Sequence, residues 1–144
     1  MNVPGLRSAY DQVGGIVYFA RMLDKIRLQA AGKLPADYQE NLGKGFDDRC
    51  CVFLHVRYPD IVAQVKAGKN DEEVLQWCLA SGHRPTEEEL EVWNGFMMKR
   101  GWRDGASERL AQRKKEGGFE NRADIETFFD YIDADEGRPV VSRQ

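Results

Sequence analysis

Hydrophobic side chains are most densely spaced in the segment from Gly14 to Ala31, GGIVYFARMLDKIRLQAA. At 100° per residue its apolar side chains cover well over half of a helix circumference, so the pattern predicts one helix of about five turns. A helix with so wide an apolar surface is packed by neighbours on more than one side. We therefore expect this segment to form the central helix of the fold.

Two charged residues, Asp24 and Arg27, interrupt the apolar arc of this helix. Its other polar side chains share a separate face, which should meet water: Tyr18, Arg21, Lys25 and Gln29. A charge inside an apolar surface is costly unless it is paired. We therefore predict that Asp24 and Arg27 are semi-buried, point toward the protein and depend on each other.

The rest of the chain carries helix signals at short intervals. The sequence Thr86-Glu87-Glu88-Glu89 is a capping box with three acids in the first turn. Further helices are predicted at about 46–56, 59–67, 71–81, 87–100, 107–116 and 124–134, with a loop at 33–44. No segment alternates for long with period two. These features predict an all-α fold: a compact, irregular bundle of six to seven helices around the central N-terminal helix.

The length of 144 residues suits one domain, and we assign 1–144 to a single helical domain. Residues 1–13 should form an N-terminal arm and residues 137–144 a flexible tail. No leader-like apolar run is seen near the start, and no stretch is apolar enough to cross a membrane. The three cysteines Cys50, Cys51 and Cys78 are odd in number, and two are adjacent, so we expect reduced thiols in a cytoplasmic protein.

The net charge of −3 argues against non-specific nucleic-acid binding, which depends on clustered positive charge. Seven basic residues do lie in the segment from Lys99 to Lys115, and a helix-turn-helix could use them. Residues 116–136 follow with eight acids and one base, and we expect the two segments to neutralise each other. The chain has only His55 and His83 as histidines, in no metal-binding motif, so neither a metal nor a cofactor is expected.

Five runs of the sequence are distinctive together: Arg21-Met22-Leu23-Asp24-Lys25-Ile26-Arg27, Ala31-Gly32-Lys33-Leu34 with Tyr38, Asp47-Asp48-Arg49, Gly68-Lys69-Asn70-Asp71-Glu72-Glu73-Val74-Leu75-Gln76-Trp77, and Trp93-Asn94. They resemble DUF5069, a bacterial family of unknown function, and the similarity covers about residues 4–136. The resemblance implies a small bacterial cytosolic helical domain and leaves its function blank. Cys50-Cys51 departs from the aromatic or aliphatic pair that the family pattern leads us to expect.

The candidate site is built on Asp24 and Arg27. Flanked by the small residues Ala20 and Ala31, they form either an ion pair at a helix–helix seam that serves structure only, or a polar floor for a small anionic ligand, with Arg27 as the fork-shaped donor. Further candidate ligand-binding residues are Lys25, Asn94, Trp77 and Trp93. We favour a small-molecule or protein-binding module without catalysis. The alternatives are a small enzyme that uses Asp24 as acid/base beside Arg27, Lys25 and Asn94, and a nucleic-acid binder through 99–115.

Overall fold

The computed structural model describes residues 1–141, and it confirms the predominantly helical fold. Over those residues the elements are β1 Gln12–Val13, β2 Ile16–Val17, α1 Phe19–Ala30, α2 Ala36–Gln39, α3 Phe46–Leu54, α4 Tyr58–Lys66, α5 Asp71–Ser81, α6 Glu87–Lys99, α7 Ser107–Glu116 and α8 Phe128–Asp135. No helix within this part of the chain is long and apolar enough to span a membrane. The end of the predicted flexible tail, 142–144, lies outside the described residues.

The predicted start of the central helix is wrong. Residues 12–17 form a small antiparallel hairpin in which Val13 pairs with Ile16, and α1 begins only at Phe19. The turn is Gly14-Gly15, with φ angles of 59° and 80°, and two consecutive positive φ angles are what a tight hairpin turn requires. A Cβ on Gly14 would lie 2.4 Å from Leu75, so α5 also requires glycine there. The two strands are too short for an alternating pattern to reveal them.

Helix α1 is nevertheless the centre of the fold. Phe19, Met22, Leu23 and Ile26 are at most 3% exposed, and α1 packs against α4 and the hairpin. Burial of each such side chain contributes roughly 1.5–3 kcal/mol. Every residue from Phe19 to Ile26 is buried, which confirms the expectation that neighbours pack around this helix on more than one side.

The capping signals locate helix starts well. The Thr86 hydroxyl accepts a hydrogen bond from the Glu89 backbone amide, and the Glu89 carboxylate accepts one from the Thr86 backbone amide, which completes the predicted capping box. Asn70 and Glu73 form a second box at the start of α5. The last helix differs from the prediction, because Thr127 caps it and it begins at Phe128 rather than near Asp124. The predicted loop at 33–44 contains the short helix α2.

All three cysteines are free, buried thiols. Burial raises the pKa of the Cys51 and Cys78 thiols to about 12, and that of Cys50 well above its ordinary value. Since the thiolate is the reactive form, we expect a disulfide-exchange reagent at pH 8 to modify the native protein slowly. In denaturant, without reductant, the same reagent should titrate all three thiols. A rapidly reacting native thiol, or fewer than three after unfolding, would contradict this expectation.

Candidate functional site

The structure brings Asp24 and Arg27 to 3.6 Å, but Arg7 is the main partner of Asp24. The Arg7 guanidinium donates to both carboxylate oxygens, at 2.9 and 3.0 Å, and the Arg7 backbone amide donates a third hydrogen bond. Arg27 donates to Asp71 at 2.7 Å, and Asp71 also pairs with Arg7 at 2.8 Å. Asp24 and Arg27 therefore belong to a four-residue network rather than to an isolated pair.

This network is saturated by its own members. The hydrogen bond to Asp24 raises the pKa of Arg7, and although burial opposes it, hydrogen bonds from Arg27 and Arg7 lower the pKa of Asp71. Both carboxylates, Asp24 and Asp71, are paired with guanidinium groups of the network. These contacts join the N-terminal arm, α1 and the start of α5, which is a structural role.

Asn94 and the tryptophans serve the packing of α6 and α5. Asn94 accepts a hydrogen bond from the Val17 amide at 3.2 Å and donates one to the Gly15 carbonyl at 2.8 Å, which fastens the hairpin to α6. Trp93 is 7% exposed and stacks on Phe53 with ring centres 4.5 Å apart. Trp77 is half-buried and packs against the core. The six predicted ligand-binding residues therefore do not converge on one site.

Lys25 lies elsewhere. A cavity of about 450 Å³ opens between α1, α3, α7, α8 and the α2 region, and among the six predicted residues only Lys25 lines it. Seven basic and three acidic side chains border this cavity, although the chain as a whole carries a net charge of −3. A cavity of this size lies in the range typical of small-molecule sites. This is our candidate functional site.

The wall of the cavity formed by α1 holds a buried cluster of Tyr18, Lys25 and Asp47. Lys25 Nζ lies 2.8 Å from Asp47 Oδ1 and donates to Tyr18 Oη at 2.8 Å. Tyr18 in turn donates to Asp47 at 2.7 Å, and the Gly43 amide donates to the other Asp47 oxygen. Tyr18 has φ 74°, a left-handed conformation that is uncommon for tyrosine, at the junction of hairpin and helix.

Beside this cluster, Arg21 forms a bidentate ion pair with Glu136 at 2.8 and 2.6 Å. Both residues are 4% exposed. Glu136 also accepts hydrogen bonds from Tyr38, at 2.7 Å, and from Arg138, at 2.5 Å. The prediction that Tyr18, Arg21 and Lys25 form a solvent-facing surface is therefore wrong, because each has a buried carboxylate partner from a distant part of the chain.

Burial and pairing move the pKa values of these groups in opposite directions. Desolvation lowers the pKa of Lys25, against the opposing attraction of Asp47. Desolvation also raises the pKa of Tyr18 well above its ordinary value, and the Asp47 charge adds to this effect. For Glu136, burial alone would raise the pKa, but hydrogen bonds from Arg21, Arg138 and Tyr38 together with the Arg21 charge lower it. Lys25 thus has a weakened hold on its proton, whereas Glu136 is a stable carboxylate.

The rim of the cavity is basic and largely unneutralised. Lys44, Arg49, Arg109 and Arg113 line it and form no ion pair within 4.0 Å among residues 1–141. Arg109 and Arg113 are one turn apart on α7 and therefore share a face. Neutralisation of 99–115 by 116–136 was predicted, and it is limited to one residue: Lys114 donates to the Arg122 and Ile125 carbonyls and its charge acts on Asp124. No ion pair within 4.0 Å links the two segments in the part of the chain described.

Two more features define the rim. Arg49 and Arg100 both stack on Phe96, with guanidinium carbons 5.1 and 5.5 Å from the ring centre, which restrains both side chains. The amino-terminal end of α3, at Gly45 and Phe46, also borders the cavity and adds the positive end of a helix dipole. Restrained guanidiniums and a helix N-terminus together suit a small anion.

An aromatic wall completes the site. Phe46, Phe128 and Tyr131 line the cavity together with Ile132. Phe46 packs edge-on against Phe128 and Phe129, with ring centres 6.3 and 5.5 Å apart, which fixes the wall to the core. The site therefore offers an apolar surface between the basic rim and the α1 wall that carries Tyr18 and Lys25.

Only part of this site is predictable from the sequence. The basic residues of α7 were visible as a charged helix, but their position depends on how α7 docks against α8. Nothing in the local sequence indicates that Asp47 contacts Tyr18 and Lys25, or that Glu136 pairs with Arg21. Within residues 1–141 no group of three or more His, Cys, Asp or Glu side chains is arranged to hold a metal ion.

Comparison with known proteins gives a family and no function. A comparison with curated proteins finds no match. A family model described as "Domain of unknown function (DUF5069)" matches residues 3–138, which is nearly the whole chain. The Arg7–Asp24–Arg27–Asp71 network and all the residues that line the cavity except Met1 fall inside that match. The chain therefore belongs to the DUF5069 family.

Proposed function

We propose that this protein binds a small, multiply charged anionic molecule, most readily a phosphorylated one, in the cavity between α1, α3, α7 and α8. The observation that carries the proposal is the set of four cations at the rim, Lys44, Arg49, Arg109 and Arg113, that have no carboxylate partner among residues 1–141. Like charges repel, and these four cations outnumber Asp37 and Asp135, the lining carboxylates that form no ion pair within residues 1–141, so gathering them around one cavity is unfavourable. A bound anion lowers that cost.

The ligand should also have an apolar or ring-shaped part. Phosphate and carboxylate groups match the fork of a guanidinium, and the rim offers three unpaired arginines. The wall of Phe46, Phe128 and Tyr131 offers ring faces and edges to the rest of the molecule. A cavity of about 450 Å³ accommodates a molecule the size of a nucleotide or a smaller phosphorylated metabolite.

We retain the interpretation as a binding module, but we place its site in the cavity rather than at Asp24 and Arg27. At Asp24, both carboxylate oxygens are held by Arg7, so nothing there supports acid–base chemistry. We infer a bacterial, cytoplasmic setting from the family resemblance and from the three free thiols. Nucleic acid remains an unfavoured partner, because the basic groups line a concave cavity in a chain whose net charge is −3.

Calorimetric titration with inorganic pyrophosphate tests the proposal. At constant ionic strength we expect saturable binding, and we expect the double variant Arg109→Gln/Arg113→Gln to bind at least tenfold more weakly. One charge-assisted hydrogen bond contributes about 1.5–3 kcal/mol, and tenfold corresponds to about 1.4 kcal/mol.

The matched control is Arg103→Gln/Lys115→Gln, which removes two exposed charges that do not line the cavity. It should bind pyrophosphate as the parent protein does. Equal weakening in both double variants would mean that surface charge attracts pyrophosphate non-specifically, which would contradict a specific site. Absence of binding to the parent protein would refute the proposal.

A further inference from the structure

Lys25 differs from every other lysine that the structure describes. It is the only lysine buried within residues 1–141, with 6% of its surface exposed, and it lines the cavity. Four residues earlier on the same helix, Arg21 already supplies a buried ion pair with Glu136. An arginine cannot give up its proton, whereas a lysine can.

The surroundings of Lys25 provide a route for that proton. Asp47 is fully buried and lies 2.8 Å from Lys25 Nζ, and Tyr18 Oη lies at the same distance from the nitrogen. Asp47 is not paired with any arginine within the described chain; its other partners are the Tyr18 hydroxyl and the Gly43 amide. Desolvation favours the neutral, nucleophilic form of a lysine amine, and an adjacent base can take its proton.

We propose that Lys25 forms an imine with the carbonyl group of an anionic aldehyde or ketone held in the cavity. This inference rests on the proposed anion site, since the basic rim is what selects a phosphorylated carbonyl compound. The ligand would then have three parts: a phosphate group that binds the rim, an apolar or ring-shaped body that packs on the aromatic wall, and a carbonyl group that reacts with Lys25.

The step balances without any further reactant. The Lys25 ammonium transfers a proton to Asp47, and the free amine forms a C–N bond to the carbonyl carbon while the carbonyl oxygen takes up the nitrogen's proton. The resulting carbinolamine loses its hydroxyl, which leaves as water with the proton that Asp47 held. The net change converts an ammonium and a carbonyl into a protonated imine and one water, and nothing is oxidised or reduced.

Trapping with borohydride tests the proposal on the unaltered protein. The probe is pyridoxal 5′-phosphate, used as a phosphorylated aromatic aldehyde, and reduction followed by peptide mass mapping locates each adduct. We expect Lys25 to be modified at a concentration at least tenfold lower than unphosphorylated pyridoxal requires. Excess pyrophosphate should suppress that adduct. Adducts confined to exposed lysines such as Lys44 and Lys115, with Lys25 unmodified, would overturn the proposal.

The pyrophosphate titration separates this inference from the proposed function. If pyrophosphate binds and Lys25 is not trapped, the imine proposal fails and the anion site stands. If pyrophosphate does not bind, both fail. A folded Lys25→Arg variant should lose the low-concentration adduct. Should that variant not fold, the adduct map of the parent protein decides the question alone.

Discussion

Replacing Arg21 by methionine is expected to lower the free energy of unfolding by up to about 3–5 kcal/mol. The substitution leaves Glu136, which is 4% exposed, without its bidentate partner and with Arg138 as its remaining counter-charge. Urea denaturation at pH 7 measures the loss. The double variant Arg21→Met/Glu136→Gln should recover much of it, because it removes the carboxylate charge that Arg21 had paired, keeps an acceptor for Tyr38 and leaves Arg138 with Asp133.

The loss should also depend on pH with a defined sign. The pKa of Glu136 is lowered in the folded protein from an ordinary value of 4.5, so its pairing stabilises the fold fully above that pH. This contribution disappears as the pH falls through the folded-state pKa. The difference between the parent protein and Arg21→Met should therefore shrink below pH 4.5. Arg84→Met is the control, because Arg84 is exposed and forms no ion pair within residues 1–141. A loss of similar size there would contradict the expected effect of the Arg21–Glu136 pair.

Replacing Asp47 by alanine should be about as damaging, with an expected loss of about 3–5 kcal/mol. Asp47 is fully buried and accepts hydrogen bonds from Tyr18 and the Gly43 amide while pairing with Lys25. Its removal leaves a buried ammonium without a counter-charge. Chemical denaturation monitored by circular dichroism measures the loss.

The neighbouring residue provides a matched control. Asp48 lies in the same first turn of α3 but is exposed, so Asp48→Ala should change the free energy of unfolding by at most about 0.5 kcal/mol. Asp47→Asn should lose less than Asp47→Ala because it keeps an acceptor for Tyr18. Equal stability of Asp47→Ala and Asp48→Ala would mean that the Tyr18–Lys25–Asp47 cluster does not hold α1 against α3.

Local signals account for most of the helices. Capping boxes at Asn70 and Thr86 are formed by residues three apart, so the sequence alone reveals them. The start of α1 was misjudged because Ile16 and Val17 are buried in both interpretations, and a hairpin of two-residue strands leaves no periodicity. Only the pair Gly14-Gly15 marked the turn.

The site could be predicted only in fragments. The prediction of buried charge on α1 held for Asp24, but its partner Arg7 comes from the N-terminal arm, 17 residues away. Tyr18, Arg21 and Lys25 have partners 29, 115 and 22 residues away, so helical periodicity placed them on a polar face. A sequence shows which charges exist, while the docking of α7 and α8 decides which of them remain unpaired.

The central claim is that anions bind in this cavity, and an amide chemical-shift titration with pyrophosphate at constant ionic strength tests it most directly. Saturable shifts should concentrate at the start of α3, at Gly45, Phe46 and Arg49. They should also concentrate from Ala106, which caps α7, to Arg113. Shifts that rise without saturation, or that scatter equally over exposed basic residues such as Arg57, Arg84 and Lys99, would contradict the account.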